Sequence, residues 1–205
     1  SAYSCLPWWT QPTPEGGVTL DVIDVGTGEN EEDYTKTDVK GKIAFIRGTT
    51  RPTGFAHAAN LAMSAGVAGI ITDYLLYQTA PFRTRESLPE PVQLLRMPSQ
   101  QFNNCWAIVV NYHAAERLAA QIANGSNKVF CDIKCRSFKG EAQNLLADIE
   151  GTDKKDEFIQ FVCHSTAGTR PGSNCASGPA VLAEMGRTIK ALIDSGRIPR
   201  PSRSI

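Results

Sequence analysis

Apolar positions follow two rhythms along the first two thirds of the chain. In GGVTLDVIDVG they alternate, with Val18, Leu20 and Val22, continuing to Val25, on one face, which predicts a half-buried strand ending at Gly26. KIAFIRG and VAGIITDY are short continuous apolar runs, the pattern of strands buried on both faces. Between them, RPTGFAHAANLAMSAG sets Phe55, Ala58, Ala59, Ala62 and Met63 at helical spacing, with Gly66 placed as a C-terminal cap. CWAIVVNYH returns to strand. AAERLAAQIANG predicts a helix with Leu118 and Ile122 on one side and Gly125 after its end, and KVFCDIKCRSF alternates again. TGENEEDYTKTDVKG reads as a polar, acidic connector.

The span 75–104 carries Pro81, Pro89, Pro91 and Pro98. Each proline removes a backbone donor and restrains its neighbour, so a long loop is expected there. After CRSFKGEAQN the pattern starts afresh, which divides the chain into 1–138 and 139–205. GEAQNLLADIEGTDKKDEFIQFVCH reads as strand, turn at EGTDKKDE, then strand. SGPAVLAEMGRTIKALIDSG predicts the strongest helix: Ser177 as N-cap, Pro179 in the first turn, and a stripe of Val181, Leu182, Met185, Ile189 and Leu192. RIPRPSRSI leads into what reads as the start of a further strand. A parallel sheet left with so few strands would expose long apolar edges. A second copy of the chain pairing at that edge, or the helix 177–195 folding over the sheet, would cover it.

Composition narrows the function classes. The 205 residues are 41% hydrophobic and 20% charged, and Lys+Arg and Asp+Glu both number 21. With that balance nothing points to nucleic acid or an anionic membrane. No apolar run approaches the ~18–20 residues that span a bilayer, and no signal peptide is visible. Cys5, Cys105, Cys131, Cys135, Cys163 and Cys175 form no CxxC pair and no zinc-finger spacing, so they read as scattered buried thiols. Cys131 and Cys135, on one face of an extended segment, would stand ~13 Å apart, too far for a disulfide. NGS at Asn124 fits the glycosylation acceptor pattern, a tripeptide that also arises by chance.

VTLDVIDVG, DVKGKIAFIRG, FAHAANLAMSAGVAGIITDY and ERLAAQIANG together resemble a protease-associated (PA) domain, over about 17–138, four segments agreeing in order and spacing. QNLLADIEGT, FIQFVCHST, PGSNCASGPAVLAEMGRTIKAL and SGRIPRPSRSI are similar to the opening of the catalytic domain of di-zinc aminopeptidases that carry an inserted PA domain, over about 143–205. The resemblance implies an α/β protein in two parts. The first is a PA domain, a β-barrel-like sheet with flanking helices, serving as a lid and recognition module for peptide or protein. The second is a truncated parallel-sheet subdomain of a zinc-peptidase-like hydrolase. The span 75–104 matches the loop that borders the cleft in that family, and the resemblance favours an extracytoplasmic location.

Carried over residue by residue, the first zinc-binding histidine falls on His164. The Asp two residues on falls on Thr166, the bridging Asp on Asn174, and the Asn after it on Cys175. The catalytic Glu and the remaining ligands would lie beyond Ile205. A bridging carboxylate offsets the repulsion of two dications ~3.5–4 Å apart, and neutral Asn174 and Thr166 supply no such charge. His164 and Asn174 are thus the candidate metal positions of a degenerate centre. No cofactor is expected in this chain, zinc belongs to a full-length protein, and the chain as it stands reads as an inactive enzyme relative.

Other readings stand beside it. A lone strand-end histidine is more often a hydrogen-bonded structural residue than a ligand. A mononuclear site of His164 with Cys163 and Cys175 meets the objection that strand alternation turns Cys163 to the opposite face. His57 and His113 have no acidic partner at suggestive spacing. STAGTRPGSNCASG could hold an anion on backbone N–H groups, yet it lacks the lysine and glycine order of a nucleotide loop. Trp8 and Trp9, with Pro7, Pro12 and Pro14, form an aromatic start expected to pack against a peptidase core rather than line a cleft. The non-enzymatic alternative is a protein-interaction module on a retained peptidase scaffold.

Overall fold

The computed structural model describes residues 4–48, 54–75, 86–92, 95–98, 104–136, 138–141, 143–165 and 176–205. Its chain divides into two units, Ser1–Phe138 and Lys139–Ile205. In the first, the continuous apolar runs become the middle of a mixed sheet. β1 (Ser4–Cys5), β2 (Val18–Asp24), β3 (Ile43–Ile46), β4 (Gly69–Thr72), β5 (Trp106–Val110) and β6 (Lys128–Cys131) assemble in the order β1-β5-β4-β3-β2-β6. Strands β2 to β5 run parallel, and both edges, β1 and β6, are antiparallel. The sheet curls into a half-barrel.

Strand alternation sorts the core into two layers. Ala44 and Ile46 of β3 face a cluster with Phe55, Ala58, Ala59 and Ala62 of α2 (Gly54–Ser64), whereas Ile43 and Phe45 face Val22, Ile71, Trp106 and Ala115 of α3 (Tyr112–Ala123). Ile43, Ala44, Phe45 and Ile46 are all inaccessible to solvent, which explains why β3 reads as an unbroken apolar run. Val25 belongs to the α2 layer while Val18, Leu20 and Val22 pack in the α3 layer, so the expected single face of four is corrected to three.

Details at the ends of elements differ from the sequence reading. The acidic connector holds a short helix, α1 (Glu32–Thr35), because Tyr34 is buried there, its hydroxyl 3.1 Å from Gly28 O and 3.0 Å from Ala58 O. Asn111 is not strand but the N-cap of α3, its side chain accepting from Ala114 N at 2.9 Å. Gly66 does end α2, with a φ of 79° and its N–H donated to Met63 O. Gly69 serves differently: its φ is not positive, and a Cβ there would overlap the Trp106 indole.

The aromatic start is a structural strand mimic. Beyond β1, Thr10 Oγ1 donates to Ala107 O (3.2 Å) and accepts from Ala107 N (2.7 Å), and Thr13 Oγ1 accepts from Ile133 N (2.9 Å). Both threonines are buried, and their hydroxyls satisfy backbone groups of Ala107 and Ile133.

The unit Lys139–Ile205 contains a two-stranded parallel sheet, β7 (Lys154–Phe158) with β8 (Arg203–Ser204), and α4 (Ser177–Asp194). The expected turn EGTDKKDE supplies most of β7, and the apolar FIQFV that follows is mostly outside it. A strand persists where it has a partner, and β8 reaches only Lys154 and Phe158. The reading of two flanking strands is corrected accordingly. Ile149 and Ile205 exchange both backbone hydrogen bonds, at 2.9 and 3.0 Å. The N-cap of α4 is Ala176 rather than Ser177, which is already helical. Leu182, Met185, Ile189 and Leu192 are half-buried as a stripe, but Val181 is exposed. Among the described residues of this unit only Gly151 and Ser204 are buried, so they hold no apolar core.

Candidate functional site

His164 follows β7 by six residues, on irregular backbone and exposed to solvent. The expected placement at a strand's carboxyl end is corrected, and with it the objection that alternation separates it from Cys163. Cys163 lies close to the first turn of α4: a Cβ on Gly178 would sit 2.9 Å from the Cys163 Cβ. Glycine there lets the chain pass tightly over the helix start. Thr166, Asn174 and Cys175, the other positions expected from the sequence resemblance, lie outside the described residues. Among the described residues no three His, Cys, Asp or Glu side chains come together as metal ligands do. What this segment offers a cation therefore rests on donor chemistry: one imidazole, the thiols of Cys163 and Cys175 and neutral oxygens, with no carboxylate to bridge a pair of zinc ions.

The remaining histidines have partners that sequence spacing does not reveal. His57 Nε2 lies 3.1 Å from Glu29 O, and His113 Nε2 lies 3.5 Å from Glu90 Oε1. Glu90 is remote from His113 in the chain, at a spacing that suggests no pairing in the sequence. Glu90 also accepts from Asn111 Nδ2 at 3.3 Å, which ties the proline-rich span to the start of α3.

The thiols divide by burial. Cys105 is inaccessible and desolvation pushes its thiol up to about 12; burial also raises Cys5, Cys131 and Cys135. These are poor nucleophiles. Cys163 is exposed, and this corrects the reading of every cysteine as a buried thiol. Cys135 donates its S–H toward Thr10 O at 3.4 Å.

Three polar residues at the carboxyl ends of β2, β3 and β4 went unremarked in the sequence. Asp24 accepts from Arg47 Nε at 2.8 Å and from Gly26 N at 2.9 Å, and buried Asp73 accepts from Gly48 N at 3.4 Å. Their signal is a charged residue directly after each apolar run. Their hydrogen bonds fix the turns that leave the sheet.

Of the span 75–104, residues 76–85, 93–94 and 99–103 lie outside the described residues. Its described part is stitched to the aromatic start: Trp8 N donates to Leu95 O and Met97 N donates to Trp8 O, both at 2.9 Å. Met97 and Leu95 are buried, while Trp8 and Trp9 remain 43% and 44% exposed. Beside them opens a groove of about 410 Å³ lined by Leu6, Pro7, Trp8, Trp9, Cys135, Arg136 and Phe138.

No family model and no curated protein matches the sequence. Among solved structures, a peptidase M28 precursor from Shewanella amazonensis SB2B is similar over 99% of this chain, with a TM-score of 0.60 and 16% identity. The chain spans 46% of the length of that protein. A zinc aminopeptidase from Bacillus subtilis (TM-score 0.41, 20% identity, 57% of this chain and 25% of that one) is more distantly similar. So is an aminopeptidase from Aneurinibacillus sp. strain AM-1 (TM-score 0.41, 18% identity, 62% and 26%). The first likeness extends over both units, and the chain has a peptidase-like fold.

Proposed function

We propose that the chain is the PA-domain-containing portion of a zinc aminopeptidase-like hydrolase, with a degenerate metal site and no activity of its own. The observation that carries the reading is the likeness in fold over nearly the whole chain, and the sequence resemblance that assigns His164 and Asn174 to ligand positions supports it. In this reading 1–138 recognises a peptide or protein through the proline-rich span, and 139–205 begins the catalytic part.

Zinc content tests it. The chain prepared with excess zinc and then dialysed should retain no more metal than the His164→Ala variant, and should not hydrolyse leucine p-nitroanilide. Retention of about two zinc ions per chain, lost in His164→Ala, overturns the degenerate site and favours an active hydrolase.

The neutral side chains of Thr166 and Asn174 also favour a second reading, a non-enzymatic interaction module on a peptidase scaffold. Deletion of 76–85 separates recognition from scaffolding in either case, since unchanged binding of peptide or partner would remove the span from both.

A further inference from the structure

We infer that the groove beside Trp8 and Trp9 is a docking surface for an acidic, aromatic- or proline-bearing peptide segment of a partner. The inference rests on the recognition role proposed above and gives it a place and a chemistry. Trp8, Trp9 and Phe138 are large apolar side chains, 43%, 44% and 77% exposed, gathered with Pro7 and Leu6 along one depression. Aromatic walls of this kind accept extended chain, stacking on proline or aromatic side chains.

Charge selects the occupant. Arg96 lies over the Trp8 ring at 4.6 Å and Arg136 over the Phe138 ring at 5.7 Å. Neither guanidinium has a carboxylate partner among the described residues, whereas other exposed cations nearby do, as Lys134 has Asp132. A guanidinium stacked on a ring keeps its N–H edges outward, where a carboxylate can take two of them. Two such edges beside an apolar depression complement a segment alternating acid with apolar residue.

Backbone strain marks the same place. Trp9 has a φ of 66°, and no other non-glycine among the described residues has a positive φ. A bulky side chain in that region is costly, and such outliers gather at recognition sites. The strain is held by the Trp8 hydrogen bonds to Leu95 and Met97 and by buried Thr10.

The test uses the full 205-residue chain and a fluorescein-labelled hexapeptide, EPFEPE, with KPFKPK as its counterpart. Anisotropy should show saturable binding of the acidic peptide that weakens with salt, and none of the basic one. Arg136→Glu should weaken binding about tenfold or more, as should Arg96→Glu, while Lys128→Glu on β6 should change it little. Circular dichroism confirms that each variant is folded. Equal binding of both peptides, no saturation, or equal effects of Arg136→Glu and Lys128→Glu would overturn the inference. So would self-association of the chain that Arg136→Glu abolishes, since a second copy would then be the occupant. Loss of partner binding on deleting 76–85, without any effect of Arg136→Glu, sinks the groove and leaves the recognition role standing.

Discussion

Gly69 stands opposite Trp106 in the β4–β5 ladder, and the indole occupies the space its side chain would need. Gly69→Ala should therefore destabilise the sheet by about 2 kcal/mol, and an unchanged urea midpoint would show that the indole moves aside freely. The nearby Cys105 thiol makes a prediction in pH. Its ordinary value is 9.0 and burial pushes it up to about 12. The unfolded chain thus loses this proton first, so the thiol's contribution is intact below about pH 9 and falls away between about 9 and 12. Cys105→Ala should flatten the decline of stability across that window, measured by urea unfolding at several pH values; an identical slope would contradict the assignment. At pH 8, iodoacetamide should modify Cys163 and spare Cys105 in the native chain, read by peptide mass.

Among the elements, α3 depends on a cap that the sequence reading placed in a strand. Asn111 is 1% exposed, accepts from Ala114 N and donates to Glu90. Asn111→Ala should cost about 1–2 kcal/mol and Asn111→Ser should recover part of it; equal stability of the two variants would deny the cap. The elements that were legible, β2 to β5 with α2 and α3, share one property. Each buries a face or both faces in its own unit, so burial wrote its period into the sequence. Those that were not legible have no such imprint. β1 is two residues long and exists through its pairing with β5, and β7, KKDEF, is exposed at every position. Of the apolar FIQFV, Phe158 ends β7 opposite Ser204 and Ile159 N donates to Ser204 O, and no strand pairing is recorded for 160–162 among the described residues.

At the scale of the whole molecule, the two units contrast in what they cover. The first buries two apolar layers. The second leaves Leu145 97%, Leu146 79% and Phe158 65% exposed, with α4 contributing no buried residue. A two-stranded sheet with bare apolar flanks does not persist in water uncovered. We expect the chain to associate with itself through this unit, seen as concentration-dependent sedimentation and dye binding. Leu146→Lys with Phe161→Glu should reduce both. A monomer at every concentration, with no dye bound, would mean that the apolar side chains are covered within the chain.

The sequence by itself determined the buried central strands of the first unit, the cut near 138, and the neutral side chains at Thr166 and Asn174. These are consequences of which side chains must be buried and which can carry charge, and both are properties of residue type. Only the tertiary structure decided that Thr10 and Thr13 would stand in for a strand, that Trp8 would be sewn to Leu95 and Met97, and that Arg96 and Arg136 would lie over aromatic rings. Those are pairings between positions remote in the chain, and no local period records a partner from so far away.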